Sequence, residues 1–209
     1  MAKNSQYDVV IYGATGFTGQ LVADYMQQQY GRSVNWAMAG RSATRLASVR
    51  DALGVAAETP LLVADATDPG SIRVMVADAR CVISTVGPYQ LYGSDLVAAC
   101  AELGTDYVDL AGEPGWMYDM IAAHHAAAVK SGARIVHSCG FDSIPFDLGV
   151  YFLQQAAQEQ LGGPVPRVRG RVRAMQGEFS GGTAASLNAT VAAVGENPGL
   201  LQRLGNPFA

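Results

Sequence analysis

Apolar runs of strand length alternate with longer stretches of helical spacing from Tyr7 to His137. The runs Tyr7–Tyr12, Val34–Ala39, Leu61–Ala64, Cys81–Thr85, Tyr107–Leu110 and Arg134–His137 predict strands. Between them, Gln20–Tyr30, Thr44–Leu53, Gly70–Ala79, Ser94–Leu103 and Met117–Lys130 predict helices. Leu21, Val22, Tyr25 and Met26 are expected on one face of the first of these. Strands separated by helices pair in parallel, because a parallel neighbour needs a crossover. The expected fold class is α/β, a Rossmann doubly wound parallel sheet with helices on both faces.

After His137 the pattern changes. Phe146–Leu161 predicts a helix, which Gly162-Gly163-Pro164 ends. Arg167 to Ala174 alternates arginine with small or apolar residues, a period of two that predicts a half-exposed strand. A glycine-rich turn, Ser180-Gly181-Gly182-Thr183, and an alanine-rich helix follow. The expected division is residues 1–148 as an NAD(P)-binding Rossmann domain. Residues 149–209 are then a connecting helix and the start of a second, truncated α/β domain, as in a fragment of a longer protein.

Composition narrows the class. With 209 residues and 49 % hydrophobic residues the chain can bury a sizeable core. The net charge of -4 gives no electrostatic reason to expect nucleic acid as a partner. The three cysteines, Cys81, Cys100 and Cys139, are far apart and form neither a disulfide framework nor a zinc-binding pattern. Thiols in a reducing cytoplasm are the expectation, with no leader peptide, transmembrane segment or metal.

The candidate chemistry begins at Gly13-Ala-Thr-Gly-Phe-Thr-Gly19, directly after the first strand and opening the first helix. That context turns a weak glycine triad into a dinucleotide-binding turn. Gly13 permits the tight turn, Gly16 lets backbone approach a pyrophosphate, and Gly19 lets the helix pack closely on the strand. Thr15, Phe17 and Thr18 belong to the same loop, whose free N–H groups favour an anion. The second strand ends in Gly40-Arg41-Ser42, with no acid to hold a ribose 2′-hydroxyl. Arg41 offers a donor fork to a 2′-phosphate, with Ser42 adding a hydroxyl and Arg45 one turn on, so the expected cofactor is NADP(H). Asp65 is expected near the adenine, and Val86-Gly87-Pro88 near the nicotinamide ribose. The alternatives are a turn that holds nothing and a solvated Arg41.

Known engines are absent. The chain has two lysines, Lys3 and Lys130, and Ala126 stands four residues before Lys130. The Tyr-x-x-x-Lys pair of short-chain dehydrogenases is therefore missing, which disfavours a sugar-nucleotide epimerase as well. There is no Gly-x-Ser-x-Gly motif. His124 and His125 read as helix surface, and His137 sits at a strand end beside Cys139.

Several segments together carry a resemblance. They are Gly13–Gly19, Ala39–Ser42, Val86-Gly-Pro-Tyr89, Tyr107-Val-Asp-Leu-Ala-Gly-Glu113 and Cys139-Gly-Phe-Asp-Ser-Ile-Pro-Phe-Asp-Leu-Gly149, with Gly181-Gly-Thr183 fitting too. The chain resembles the saccharopine dehydrogenase-like oxidoreductases, a family that includes trans-acting enoyl reductases. The resemblance implies hydride transfer with a nicotinamide cofactor, in a cleft between a Rossmann domain and an α/β domain. It implies a small-molecule or carrier-bound substrate, either a lipid enoyl intermediate or an amino-acid adduct, and is compatible with a homodimer. It places Tyr107, Asp109, Gly112, Glu113, Asp142, Ser143 and Asp147 near the cleft. Tyr89, Glu113 and Asp142 are the proton-donor candidates by position and chemical type. For Asp142 a helix N-cap is an equal reading. A non-catalytic NADP(H) sensor or partner-binding protein on the same fold is the alternative function. The stripe Arg167, Arg169, Arg171 and Arg173 reads as a solvated face or as one that meets an anion.

Overall fold

The computed structural model describes residues 5–177, 180–197 and 199–201. Its strands are β1 (Tyr7–Tyr12), β2 (Trp36–Gly40), β3 (Leu61–Val63), β4 (Ala79–Ser84), β5 (Asp106–Asp109) and β6 (Ile135–Val136). They form one six-stranded sheet in the order β3-β2-β1-β4-β5-β6, and every pairing is parallel. The order reverses between β1 and β4, and the carboxyl ends of those two strands flank the crevice of a doubly wound fold. Register is tight there: Ile11 lies opposite Met38 on one side and Ile83 on the other.

Helices α1 (Phe17–Gln29) and α2 (Ala43–Ala52) pack on one face of β1–β3 around Ile11, Met38 and Leu46. On the other face, α3 (Pro69–Asp78), a single turn α4 (Tyr89–Tyr92), α5 (Ser94–Leu103) and α6 (Pro114–Ser131) enclose Val10, Val82, Leu96 and Tyr107. Central strands covered on both faces explain the continuous apolar runs in the sequence. Glycines in the left-handed region close α5 at Gly104 and α6 at Gly132, as C-cap glycines do.

The face of α1 differs from expectation. Gly19, Ala23 and Met26 are its buried residues, while Leu21 and Tyr25 are each 56 % exposed. Gly19 and Ala23 let the first turns of the helix lie close to the sheet, and Met26 is the larger side chain buried further along. Tyr25 instead meets Tyr30 edge-on.

Beyond β6 come α7 (Ile144–Leu161) and α8 (Gly181–Glu196). Residues 167–174 are not a strand: no ladder partner faces them among the described residues, and arginines and Val172 alike are exposed. Alternation specifies a strand only when a neighbouring strand gives it two distinct faces.

Candidate functional site

A cleft of about 470 Å³ opens along the carboxyl ends of β1, β2 and β4. Gly13, Thr15, Gly16, Phe17 and Thr18 form its floor. Gly40, Arg41 and Asp65, with Ala66 and Thr67, close one end. Thr85, Val86, Gly87 and Tyr92 close the other, with Ser180 and Gly182 from the start of α8. Three expected binding residues stand behind this lining. Gly19 lies inside α1, Ser42 caps α2, and Pro88 caps α4.

The glycine turn is shaped by what is missing. Gly13 has φ +90°, and a Cβ there would stand 2.6 Å from Thr85 Oγ1 and 2.7 Å from Val86 Cγ2. A Cβ on Gly19 would strike the Gly13 carbonyl oxygen. The Gly16 N–H donates to that same carbonyl at 2.9 Å, closing the turn. Thr85 ties β4 to it, donating from its hydroxyl to the Tyr12 carbonyl at 3.0 Å. The N-terminus of α1 has no side-chain cap and no acidic residue in its first turn. Its N–H groups and partial positive charge are thus left for an anion.

The Arg41 end carries mixed charge. Thr67 donates to Asp65 from both its N–H and its hydroxyl, at 2.9 Å each, which holds the Asp65 carboxyl below the usual carboxylate range. Tyr12 lies beneath, its phenol pushed up to about 12 by burial and then by Asp65, with Arg41 opposing. The Ser42 hydroxyl accepts from the Arg45 N–H at 3.3 Å, so its oxygen serves the helix first. This end of the cleft suits a phosphate only through Arg41, which Asp65 would otherwise repel.

Two of the three proton-donor candidates lie under the cleft and not in it. Glu113 is 2 % exposed, and its carboxylate accepts the N–H groups of Tyr89 and Gln90 at 2.9 Å each. It thereby satisfies the open N-terminus of α4 from across the fold. Tyr89 is 4 % exposed, its ring tilted against Trp116 at 5.5 Å and its hydroxyl donating to the Ser84 carbonyl at 3.0 Å. Burial pushes its phenol well above the ordinary value. As placed, the polar atoms of both are engaged and shielded. Asp142 is exposed in the turn before α7, and it is Ser143, without a side-chain bond, that occupies the cap position. None of the three lines the cleft.

Asp109, expected near the cleft, is 2 % exposed and is the hub of a buried network. Its Oδ1 accepts the N–H groups of Ala111 and Ser138 at 2.9 and 2.8 Å. Its Oδ2 accepts the Tyr107 hydroxyl at 2.9 Å and pairs with His137 Nδ1 at 2.7 Å. Burial opposes the charge, but the bonds from His137, Ala111 and Ser138 outweigh it and hold the carboxyl below its usual range. Gly112 is exposed beside it, and Asp147 lies exposed in the first turn of α7.

The lining residues that the sequence did not single out include Tyr12, Ala66, Thr67, which orients Asp65, and Tyr92. The signal for Tyr92 was its place three residues after Tyr89, between Pro88 and Gly93, within one helical turn.

Residues 9–136 match the family described as the saccharopine dehydrogenase NADP binding domain. The chain belongs to that family. NADP(H) is accordingly its cofactor, and the free helix N-terminus, the glycine cradle and Arg41 fit that group. A Mycobacterium tuberculosis protein provisionally named a trans-acting enoyl reductase is 47 % identical over 208 residues, covering 99 % of this chain and 49 % of its own length. The trans-acting enoyl reductase of Mycobacterium ulcerans is 40 % identical over 205 residues, covering 97 % of this chain and 49 % of its own. The chain thus spans about half the length of the curated relatives it matches. Saccharopine dehydrogenase (L-Glu forming) from Saccharomyces cerevisiae shares the fold, with a TM-score of 0.58 and 21 % identity over 73 % of this chain and 32 % of its own.

Proposed function

We propose that the chain is the cofactor-binding part of an NADPH-dependent reductase that saturates an enoyl intermediate of lipid type, presented as a thioester. The observation that carries the reading is Arg41, at the cleft wall where an NAD-binding domain places an acid. The names of the relatives favour an enoyl substrate over an amino-acid adduct. Bound NADPH supplies the hydride. The chain's own residues seat the pyrophosphate at Gly13–Thr18, hold the 2′-phosphate through Arg41 and set the nicotinamide ribose against Thr85–Gly87. Residues 1–148 then form the cofactor domain, and 149–209 lead into the substrate side. A cytoplasmic setting and a homodimer belong to the same proposal. Among the described residues, no helix is long and apolar enough to cross a membrane.

A second reading, an NADP(H) sensor, draws support from the burial of Tyr89 and Glu113. Both readings share the cofactor test. Arg41→Ala is expected to weaken NADPH binding by about 1.5–3 kcal/mol, the value of a charge-assisted bond, with NADH little changed. Titration followed by nicotinamide fluorescence reads this, and an equal loss for both cofactors would make Arg41 structural. Reduction of a crotonyl thioester by NADPH then separates enzyme from sensor.

A further inference from the structure

The ionisable lining of the cleft consists of Tyr12, Arg41, Asp65 and Tyr92 among the described residues. Arg41 and Asp65 stand at the β2–β3 end, across the pyrophosphate turn from the place where a nicotinamide would rest. Tyr12 is 3 % exposed beneath the floor. Tyr92 alone stands at the β4 end, beside Thr85 and Gly87, and it is 41 % exposed. Its hydroxyl has no hydrogen-bond partner among the described residues, whereas the neighbouring hydroxyls are in use. Thr85 donates to the Tyr12 carbonyl, and Ser180 accepts the Thr183 N–H at 3.2 Å as the cap of α8.

The placement of Tyr92 is held from below. Glu113 fixes the first two N–H groups of α4, and Tyr89 anchors that turn in the core between Trp116 and the Ser84 carbonyl. Tyr92 follows Tyr89 by one turn and emerges where the turn meets the cleft, its own N–H bonded to the Pro88 carbonyl at 3.1 Å. A free hydroxyl on a short, firmly anchored turn is what a positioned acid requires.

We infer that Tyr92 is the proton donor of the reduction, an inference that rests on the function proposed above. A tyrosine hydroxyl is a hydrogen-bond donor and can hand on its proton. As the hydride from NADPH bonds to the β-carbon of the enoyl thioester, the electron pair of the double bond moves toward the α-carbon and the thioester oxygen. The Tyr92 O–H bond breaks and its proton passes to the α-carbon. The phenolate regains a proton from water, to which the ring is open. The substrate has then gained one hydride and one proton, and NADPH has become NADP+. Glu113 and Tyr89 act through Tyr92 as positioning residues.

The test labels tyrosine at Cζ with carbon-13 and identifies the Tyr92 resonance by its loss in Tyr92→Phe. The nicotinamide ring is cationic in NADP+ and neutral in NADPH, so a phenol beside it ionises more readily in the oxidised complex. The Tyr92 resonance is expected to titrate at lower pH with NADP+ than with NADPH. Tyr92→Phe is expected to bind NADPH within about twofold of the wild type and to reduce a crotonyl thioester about 10²–10⁴-fold more slowly. Identical titrations in the two complexes, or a variant rate within about threefold of the wild type, would overturn the role of Tyr92 while leaving the cofactor reading intact. Failure of the wild type to bind either nucleotide would overturn the function itself, and this role with it.

Discussion

The glycine turn and the buried network at the end of β5 are built in opposite ways. The turn Gly13–Gly19 works by omission at its two ends: a Cβ on Gly13 would strike Thr85 and Val86, and one on Gly19 would strike the Gly13 carbonyl. The β5 end works by addition: the carboxylates of Asp109 and Glu113 are buried, and each holds two backbone N–H groups. The lesson concerns where charge sits. Asp109 and Glu113, acidic residues within a motif, accept backbone N–H groups beyond β5 and at a one-turn helix. The polar lining of the cleft is glycine backbone, hydroxyls, Arg41, Asp65 and the phenols of Tyr12 and Tyr92.

Substitutions can break this contrast. Gly13→Val has the largest expected effect. It forces a branched side chain into a left-handed backbone position already within 3 Å of Thr85 and Val86. About 3 kcal/mol or more of stability should be lost, with NADPH binding abolished. Chemical denaturation and cofactor titration on one sample measure both. Glu113→Ala comes next: it strands two buried N–H groups and should cost about 2–5 kcal/mol. Glu113→Gln, which keeps one acceptor, should recover part of this. A Glu113→Ala protein of unchanged stability with no reductase activity would return that residue to the chemistry and undo the comparison.

The smallest effect is one of pH. Folding lowers the Asp109 pKa, so its contribution to stability is complete above the unfolded value of about 3.9 and is lost as pH falls through the folded one. The wild type should therefore lose stability more steeply than Asp109→Asn on going from pH 5 to pH 3, although the variant starts lower. Parallel slopes in denaturation midpoints across that range would show that Asp109 is not the acid-labile link.

Much of the framework was legible before any coordinates. β1 to β6 appear within a residue or two of their apolar runs, and the central strands, covered on both faces, leave the most continuous signal. The four residues of α4 are too few for a helical period, so the turn that carries Tyr92 gave none. The alternation at Arg167–Ala174 imitates a strand, but hydrogen bonding to a neighbour, not pattern, makes one. Ser42 and Pro88 were placed at the cleft by proximity in sequence; they are the N-cap residues of α2 and α4 and are not among its lining.

By itself the sequence determined the α/β order, the glycine turn and the presence of Arg41 where an acid could stand, since each depends on residues adjacent in the chain. Only the tertiary structure decided the fate of the polar residues. Glu113 meets α4 across 24 residues and Asp109 meets His137 across 28, so whether a carboxylate faces water or backbone was settled by packing. Tyr89 and Tyr92 belong to the same turn, and the sheet edge beneath that turn buries one phenol and leaves the other open to the cleft.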